Sequence, residues 1–236
     1  MNRRLTNILR FFLDECIPPI IRDNKYFMYP LLYVWFKGKN IRSIMNFKRN
    51  VWKMSHEEFV DFYNQRDSMA KDRPTDLSEQ SINYMLSRFD ADASSLLDVG
   101  CGNGYWLEKV RASHSKIKLT GCDVFDEKPF KSEDIHYQMG NIEALPFSDN
   151  SVDIVSCHHV LEHVIDLKAS IDELRRVARK QVFVVVPKQR YYYYTFDEHV
   201  RFFPYKELLE YHMGMDTYHC KEVWGDFVYI GVPASK

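Results

Sequence analysis

The stretch that decides the fold is Leu96-Leu97-Asp98-Val99-Gly100-Cys101-Gly102-Asn103-Gly104-Tyr105-Trp106-Leu107. A short apolar strand runs into glycines at three alternate positions, and a helix follows them. Glycine adopts a positive φ without strain, and because it has no Cβ a ligand can come close to its backbone. The stretch therefore predicts a strand, a tight turn and a helix, with a ligand lying against the turn at the helix N-terminus.

The spacing of the glycines differs from that of two phosphate-binding loops. The dinucleotide fingerprint G-x-G-x-x-G would need its third glycine at position 105, where this chain has Tyr105. No Gly-Lys-Ser/Thr follows, which excludes a P-loop. The next predicted strand ends at Asp123, and a carboxylate there can accept hydrogen bonds from both ribose hydroxyls. We therefore predict a nucleoside ligand without the phosphates of a dinucleotide.

Outward from this loop, apolar strands alternate with amphipathic helices. Continuously apolar strands such as 181–186 (QVFVVV) are typical of a parallel sheet covered on both faces. We expect an α/β, Rossmann-like, seven-stranded, mostly parallel sheet with helices on both faces, plus a helical, basic and aromatic N-terminal extension. The predicted strands are 95–99, 117–122, 135–139, 152–157, 181–186, 218–224 and 227–232, and the predicted helices of this region are 77–89, 104–112, 167–180 and 204–213.

The N-terminal segment differs in charge from the rest of the chain. Residues 1–54 contain 11 basic and 3 acidic side chains, whereas residues 55–236 have a net charge of −9. We therefore divide the chain into a basic, aromatic extension (1–54) and a main domain (55–236), whose first helix is predicted by the capping-box spacing of Ser55 and Glu58. Cations mixed with aromatic rings suit a membrane surface. Packing on the main domain or a dimer contact is an equal alternative, and nucleic-acid binding ranks lower because no reading motif accompanies the charge.

Composition excludes several classes of protein. With 236 residues, 45% of them apolar and 28% charged, the chain is neither collagen-like nor of low complexity nor wholly disordered. Its five cysteines form no C-x-x-C pair, which disfavours a disulfide framework or a structural zinc site and indicates a reducing compartment. No secretory signal is visible, and the longest apolar run, 26–36, is too short to span a bilayer. We expect a cytoplasmic protein, with a peripheral position at the membrane as the alternative.

Four motifs in order resemble the class I S-adenosylmethionine (SAM)-dependent methyltransferases, in particular the type 11 family. They are 97–104, Asp123, 140–147, and 151–155 followed by 161–163 (LEH), and the resemblance covers about residues 77–233. It implies SAM as the cofactor and methyl transfer as the reaction. Together with the basic, aromatic residues 1–54, which suit a membrane surface, it leads us to expect transfer to an oxygen or nitrogen of a small-molecule or lipid-linked acceptor, sugar-containing ones included. The alternatives are a non-catalytic SAM-binding scaffold or regulatory module, and an RNA or protein methyltransferase.

The resemblance also assigns cofactor contacts, residue by residue. It places Asp98 near the amino group of the methionine part, Asp123 at the ribose and Asn141 beside the adenine. Many family members have Asp where this chain has Asn141, but the amide oxygen can still accept a hydrogen bond. The residues assigned to the cofactor are Asp98, Gly100, Gly102, Gly104, Asp123, Val124, Asn141, Ile142, Cys157 and His158.

Methyl transfer from a sulfonium is an in-line displacement that depends mainly on alignment and exclusion of water. A hydroxyl acceptor also gains from a general base, for which histidine is the usual residue near neutral pH. The candidate bases are His158, His159 and His199, with His158 ranked first. Of the adjacent pair, one ring should face the cleft and the other should pack. The aromatic run 191–194 is interpreted either as a lid or as packing, and no metal site is predicted.

Overall fold

The computed structural model describes residues 8, 11–64, 74–128 and 130–234. The chain divides into two compact units. Unit 1 is Met1–Arg73 with Gln189–Phe202, and unit 2 is Pro74–Lys188 with Phe203–Lys236. The predicted division between residues 54 and 55 falls inside unit 1 and stays a prediction.

Nine α-helices and seven strands are found in the described part of the chain. The helices are α1 (Pro19–Arg22), α2 (Lys25–Trp35), α3 (Ile41–Met45), α4 (Phe47–Asn50), α5 (His56–Asn64), α6 (Glu79–Leu86), α7 (Tyr105–Ser113), α8 (Leu167–Val177) and α9 (Lys206–Met213). Unit 1 also contains a π-helical turn (Phe12–Cys16) and a 3-10 turn (Val51–Lys53). The strands are β1 (Ser95–Val99), β2 (Lys118–Asp123), β3 (His136–Met139), β4 (Val152–His158), β5 (Ala178–Pro187), β6 (Thr217–Val223) and β7 (Asp226–Val232).

The strands form one seven-stranded sheet in the order β3-β2-β1-β4-β5-β7-β6. Only β7 runs antiparallel, between β5 and β6. Alternate residues of β5 belong to two separate apolar cores: Val182 and Val184 pack with α8 and α9, whereas Phe183 and Val185 pack with α6 and α7. The predicted mostly parallel sheet with helices on both faces is confirmed.

Helix α8 ends three residues earlier than predicted. We expected a helix to residue 180, but the helix ends at Val177 and β5 begins at Ala178. Ala178 pairs with Val152 of β4, and the guanidinium of Arg179 lies 2.6 Å from a carboxylate oxygen of Asp153. Pairing with β4 therefore overrides the helical preference of these residues.

Unit 1 has its own small core, and the segment 189–202 belongs to it. Residues of α2 and α3 pack around Leu13 and Phe196, and the rings of Trp35 and Phe196 meet edge to face at 5.0 Å. Arg22 donates to the carbonyl of Tyr191 at 2.7 Å, and Asp23 accepts from the amide of Tyr193 at 2.7 Å. The N-terminal helices therefore hold a segment that lies about 170 residues away along the chain.

The start of α5 confirms the predicted capping box. The amide of Ser55 donates to the Glu58 carboxylate at 2.8 Å, and the amide of Glu58 donates to Ser55 Oγ at 3.2 Å. Two amides that lack a partner inside the helix are thereby satisfied. Among all the helices that the structure describes, none is both long and apolar enough to cross a membrane.

Candidate cofactor site and predicted bases

The carboxyl ends of β1, β2 and β4 lie side by side in unit 2. Val99 is in register with Cys122 on one side and with Cys157 on the other. The amides of Gly100 and Cys101 both donate to the carbonyl of Cys122, at 2.8 and 3.1 Å. These two hydrogen bonds hold the glycine loop against the end of β2. Asp98 near the end of β1 and Asp123 at the end of β2 therefore lie at the same edge of the sheet.

All three loop glycines have positive φ, but they meet different surroundings. The φ values are +73° at Gly100, +47° at Gly102 and +75° at Gly104. A Cβ at Gly100 would overlap Val160, and one at Gly104 would come within 2.8 Å of the Phe130 ring. At Gly102, a Cβ would have no described atom within 4 Å. Packing therefore requires glycine at two positions, whereas at Gly102 the backbone borders open space that a ligand can enter.

Asp123, at the end of β2, is held in a fixed orientation. One carboxylate oxygen accepts from the amide of Gly102 and the other from the amide of Val124, both at 2.8 Å. Burial raises the pKa of Asp123 despite these hydrogen bonds. Each oxygen retains a further lone pair, as a ribose diol needs.

Asp98, in β1, is buried and forms part of a directed hydrogen-bond chain. Ser156 Oγ lies 2.7 Å from Asp98 Oδ1, and the indole N–H of Trp106 donates to Ser156 Oγ at 3.1 Å. Burial raises the pKa of Asp98 to about 7. A buried carboxylate of this kind ionises fully when a cation binds beside it.

Ser156 and Trp106, which orient Asp98, are not among the predicted site residues. A signal was present, because Ser156 is a lone hydroxyl between apolar residues of a buried strand. A buried hydroxyl must find a hydrogen-bond partner. The neighbouring strand is the first place to look for it.

The predicted adenine-side residues follow β3. The amide of Gly140 donates to the backbone carbonyl of Asp123 at 2.8 Å, which joins this loop to the end of β2. Asn141 is half-buried, and its side-chain oxygen accepts from the amide of Glu143 at 3.0 Å. Ile142 is buried in the core on the α8 side of the sheet. The structure thus brings the cofactor-assigned loops of unit 2 to one edge of the sheet.

His158 and Cys157 end β4 in a buried environment. His158 Nδ1 lies 3.6 Å from Asp98 Oδ1, and its ring stands edge to face against Trp106 at 5.1 Å. Burial lowers the pKa of His158 to about 3, and its Nε2 is buried with no hydrogen-bond partner among the described residues. Burial also raises the pKa of the Cys157 thiol. A neutral ring with so low a pKa is a poor proton acceptor, which argues against the first-ranked base.

His159 is clamped between two buried carboxylates. Its Nδ1 lies 3.2 Å from Glu162 and its Nε2 lies 3.7 Å from Asp226. Its backbone adopts φ +54°, and its amide donates to the carbonyl of Val185 at 2.8 Å. Burial lowers the pKa of His159, but the two carboxylates outweigh it and raise the pKa to about 10. Already protonated near neutral pH, the ring is suited to bracing the ends of β4, β5 and β7 and not to taking up a proton.

His199 belongs to unit 1, whereas the candidates His158 and His159 belong to unit 2. Its Nδ1 lies 2.5 Å from Gln189 Oε1, and the amide nitrogen of the same glutamine donates to the Tyr192 hydroxyl at 2.8 Å. Lys48 donates to the backbone carbonyl of His199. Because Gln189 Oε1 can only accept, this hydrogen bond requires a proton on Nδ1 of His199.

Comparisons with known proteins agree with this geometry. The sequence model of a family described as a methyltransferase domain matches residues 97–186. The malonyl-[acyl-carrier protein] O-methyltransferase of Erwinia billingiae is 36% identical over 103 residues, which is 42% of this chain and 39% of that protein. The tRNA U34 carboxymethyltransferase of Campylobacter curvus is 32% identical over 102 residues, 40% of this chain and 34% of that protein.

The fold is also similar to that of solved structures. A SAM-dependent methyltransferase from Aquifex aeolicus superposes with a TM-score of 0.52 at 18% identity, covering 77% of this chain and 100% of that one. The chain spans less than half the length of the two curated relatives named above. The predicted resemblance and the predicted fold are confirmed.

Proposed function

Because residues 97–186 match the sequence model of a methyltransferase domain family, we propose that this chain is a SAM-dependent methyltransferase. Its acceptor is an oxygen or nitrogen of a small-molecule or lipid-linked compound. The observation that carries the proposal is the pair of acids at adjacent strand ends, Asp98 and Asp123, with the open backbone of Gly102 beside them.

The residues at this edge fit the chemistry of SAM. Burial raises the pKa of the Asp98 carboxyl, and no cation among the described residues offsets this effect. The ammonium of SAM would supply the missing charge. Asp123 is oriented to accept from the two ribose hydroxyls. SAM, when bound, supplies an activated methyl group on a sulfonium. The chain's task is then to align the acceptor and exclude water, and such positioning is worth roughly 7–11 kcal/mol.

For a hydroxyl acceptor, His199 is the best of the three predicted bases. His158 is a poor proton acceptor and His159 is already protonated near neutral pH, which leaves His199 among the three predicted bases. We expect His199→Asn to lower kcat about 100-fold or more with a small change in the KM for SAM. Equal kcat in the variant and the wild type would exclude His199 as the base.

Calorimetric titration with SAM tests the proposal directly. Asp123→Ala should weaken SAM binding at least about tenfold, since it removes two charge-assisted hydrogen bonds to the ribose. Asp134→Ala is the matched control, because the side chain of Asp134 is 84% exposed and meets only a surface arginine among the described residues. Absence of heat with the wild type, or equal affinity in the Asp123 variant, would contradict the proposal.

An RNA acceptor is the second candidate. It is favoured by the excess of 11 basic over 3 acidic side chains in residues 1–54 and by the similarity to a protein named as acting on tRNA. RNA affinity that falls steeply with salt, together with methylation of that RNA, would favour it. SAM binding without methylation of any acceptor class would instead favour a non-catalytic SAM-binding module.

A further inference from the structure

One face of α2 in unit 1 exposes apolar and aromatic side chains to solvent. Tyr26 is 78% exposed and Val34 is 67% exposed, with Tyr29 and Tyr33 between them on the same face. These positions follow the i, i+3, i+7, i+8 spacing of one helical stripe. The helix therefore presents a continuous apolar stripe, which we call the α2 face: Tyr26, Tyr29, Pro30, Tyr33 and Val34.

The opposite side of the same helix is buried. Met28, Leu32 and Trp35 pack into the unit 1 core. A surface helix of a globular protein normally has a polar outer face, and a helix that is apolar all round is usually buried or in contact with lipid. The outer face of α2 therefore needs a partner.

Further exposed apolar side chains concentrate in the same part of the chain. Ile20 is 83% exposed and Trp52 is 52% exposed. Contiguous exposed apolar surface marks an interaction site more often than scattered single residues do. The exposed large apolar side chains between residues 11 and 53 are Phe11, Phe12, Ile20, Ile21, Tyr26, Tyr29, Leu31, Tyr33, Val34 and Trp52.

Between residues 11 and 53, almost all of the exposed charged side chains are basic. Asp14 is buried, Asp23 accepts from the amide of Tyr193, and Glu15 lies 3.0 Å from the guanidinium of Arg190. These acids are thus engaged within unit 1. The exposed cationic side chains between residues 11 and 53 are Lys25, Lys37, Lys39, Arg42, Arg49 and Lys53.

We propose that unit 1 binds an anionic membrane surface through the α2 face. With 11 residues, α2 is about 16 Å long, so it would lie in the plane of the interface and not cross the bilayer. Tyrosine and tryptophan rings sit at the headgroup level and aliphatic side chains reach the acyl boundary, while Lys and Arg meet anionic headgroups. This would place the enzyme where lipid-linked acceptors reside.

Two other occupants fit the composition less well. Isoleucine and valine offer nothing to phosphate groups or to base stacking, so Ile20 and Val34 are out of place in an RNA interface. A symmetric dimer through this surface would bring like charges together, because an isologous contact pairs the same patch on both copies. An acyl boundary beneath anionic headgroups suits both the aliphatic residues and the cations.

Flotation of the full chain with vesicles tests the aromatic part of the proposal. We expect binding to phosphatidylglycerol vesicles and little binding to phosphatidylcholine vesicles. Tyr26→Ser combined with Val34→Ser should lower the partition coefficient about tenfold or more. Tyr211→Ser is the matched control, because Tyr211 is 80% exposed but lies on α9 in unit 2. Equal flotation of the double variant and the wild type would overturn the proposal.

A charge variant tests the electrostatic part. Lys25→Gln should lower affinity for phosphatidylglycerol vesicles about fivefold, and raising the salt should remove the difference. Lys116→Gln, an exposed lysine of unit 2, should have no effect. Equal affinity for both lipids, preferential binding of RNA over vesicles, or concentration-dependent dimerisation lost in the Tyr26/Val34 variant would each refute the membrane assignment.

Membrane binding by the α2 face depends on the proposed methyltransferase function only for its biological role, which is to bring the enzyme to lipid-linked acceptors. Vesicle binding is measured without SAM, so its failure leaves the methyltransferase proposal intact. Conversely, failure to bind SAM leaves vesicle binding unchanged. Circular dichroism of each variant shows whether the surface substitutions leave the fold intact.

Discussion

The residue with the clearest consequence for binding is Asp98. Its pKa of about 7 means that roughly half of the free protein carries a protonated carboxyl group at neutral pH. An ammonium group binds the ionised form, so SAM affinity should rise as the pH rises through 7. Below pH 7 we expect Kd to increase by up to about tenfold for each pH unit.

Calorimetry in buffers of different ionisation enthalpy measures the protons released when SAM binds. The wild type should release close to one proton below pH 7 and fewer above it. Asp98→Asn should bind SAM more weakly and without this pH dependence. A wild-type affinity that is constant from pH 5.5 to 8 would contradict the assignment of Asp98 to the ammonium.

Ser156 offers a second prediction at the scale of a single residue. Its hydrogen bond lowers the pKa of Asp98, although burial outweighs it. Ser156→Ala should therefore move the pH midpoint of SAM binding upward. It should also cost about 1–3 kcal/mol of stability, because the indole N–H of Trp106 loses its partner. Ser87→Ala, at an exposed site, serves as the control, and an unchanged midpoint would disprove the coupling.

Residues of the glycine loop could be predicted from sequence, but protonation states could not. The loop glycines are recognisable because positive φ is a local requirement. The pKa of His159 depends on Asp226, which lies 67 positions further along the chain and reaches it only through the sheet. The burial of His158 could likewise not be predicted, because it depends on residues distant along the chain, such as Trp106.

At the scale of elements, Arg22 links the helices of unit 1 to the segment 189–202. It is 4% exposed and donates to the carbonyls of Leu13 and Tyr191. Arg22→Ala removes hydrogen bonds from a charged donor, each worth about 1.5–3 kcal/mol. We expect faster amide hydrogen exchange in 189–202 while the strands of unit 2 remain protected. Arg49→Ala, at an exposed position, should leave exchange unchanged, and slow exchange in both variants would show that Arg22 does not hold the segment.

Elements with strong local signals were predictable, and those built by distant contacts were not. The capping box of α5 and the apolar strands could be identified from adjacent residues. Helix α8 ends three residues before its predicted end, because the pairing of Ala178 with Val152 of β4 decides where the strand begins. The association of 189–202 with Arg22 of α1 and with Asp23, which follows that helix, depends on contacts 169 and 170 positions apart, for which a single sequence gives no signal.

At the scale of the whole molecule, two buried groups with opposed pKa shifts contribute to stability below neutral pH. The folded pKa of Asp98 is about 7 against an ordinary 3.8, so folding takes up a proton between about pH 4 and 7. The folded pKa of His158 is about 3 against an ordinary 6.5, so folding releases a proton between about pH 3 and 6.5. Their contributions to the pH dependence of unfolding free energy nearly cancel between pH 4 and 6.5. His158→Gln should unmask Asp98, and stability measured by urea unfolding should then fall as pH rises, by up to ~1.4 kcal/mol per unit. A variant whose stability follows the wild-type pH curve would refute this pairing.

Above neutral pH, His159 should dominate the loss of stability. Its folded pKa of about 10 exceeds the ordinary 6.5, so its contribution is fully present below pH 6.5 and is lost as pH rises toward 10. Deprotonation would leave Glu162 and Asp226 buried without the charge between them, and the ends of β4, β5 and β7 would lose their brace. We expect the wild-type unfolding free energy to fall between pH 7 and 9.5, whereas His159→Gln should be less stable at pH 7 and nearly independent of pH above it. Equal slopes for the two proteins would mean that another group titrates in this range and that the imidazolium is not what holds these strand ends together.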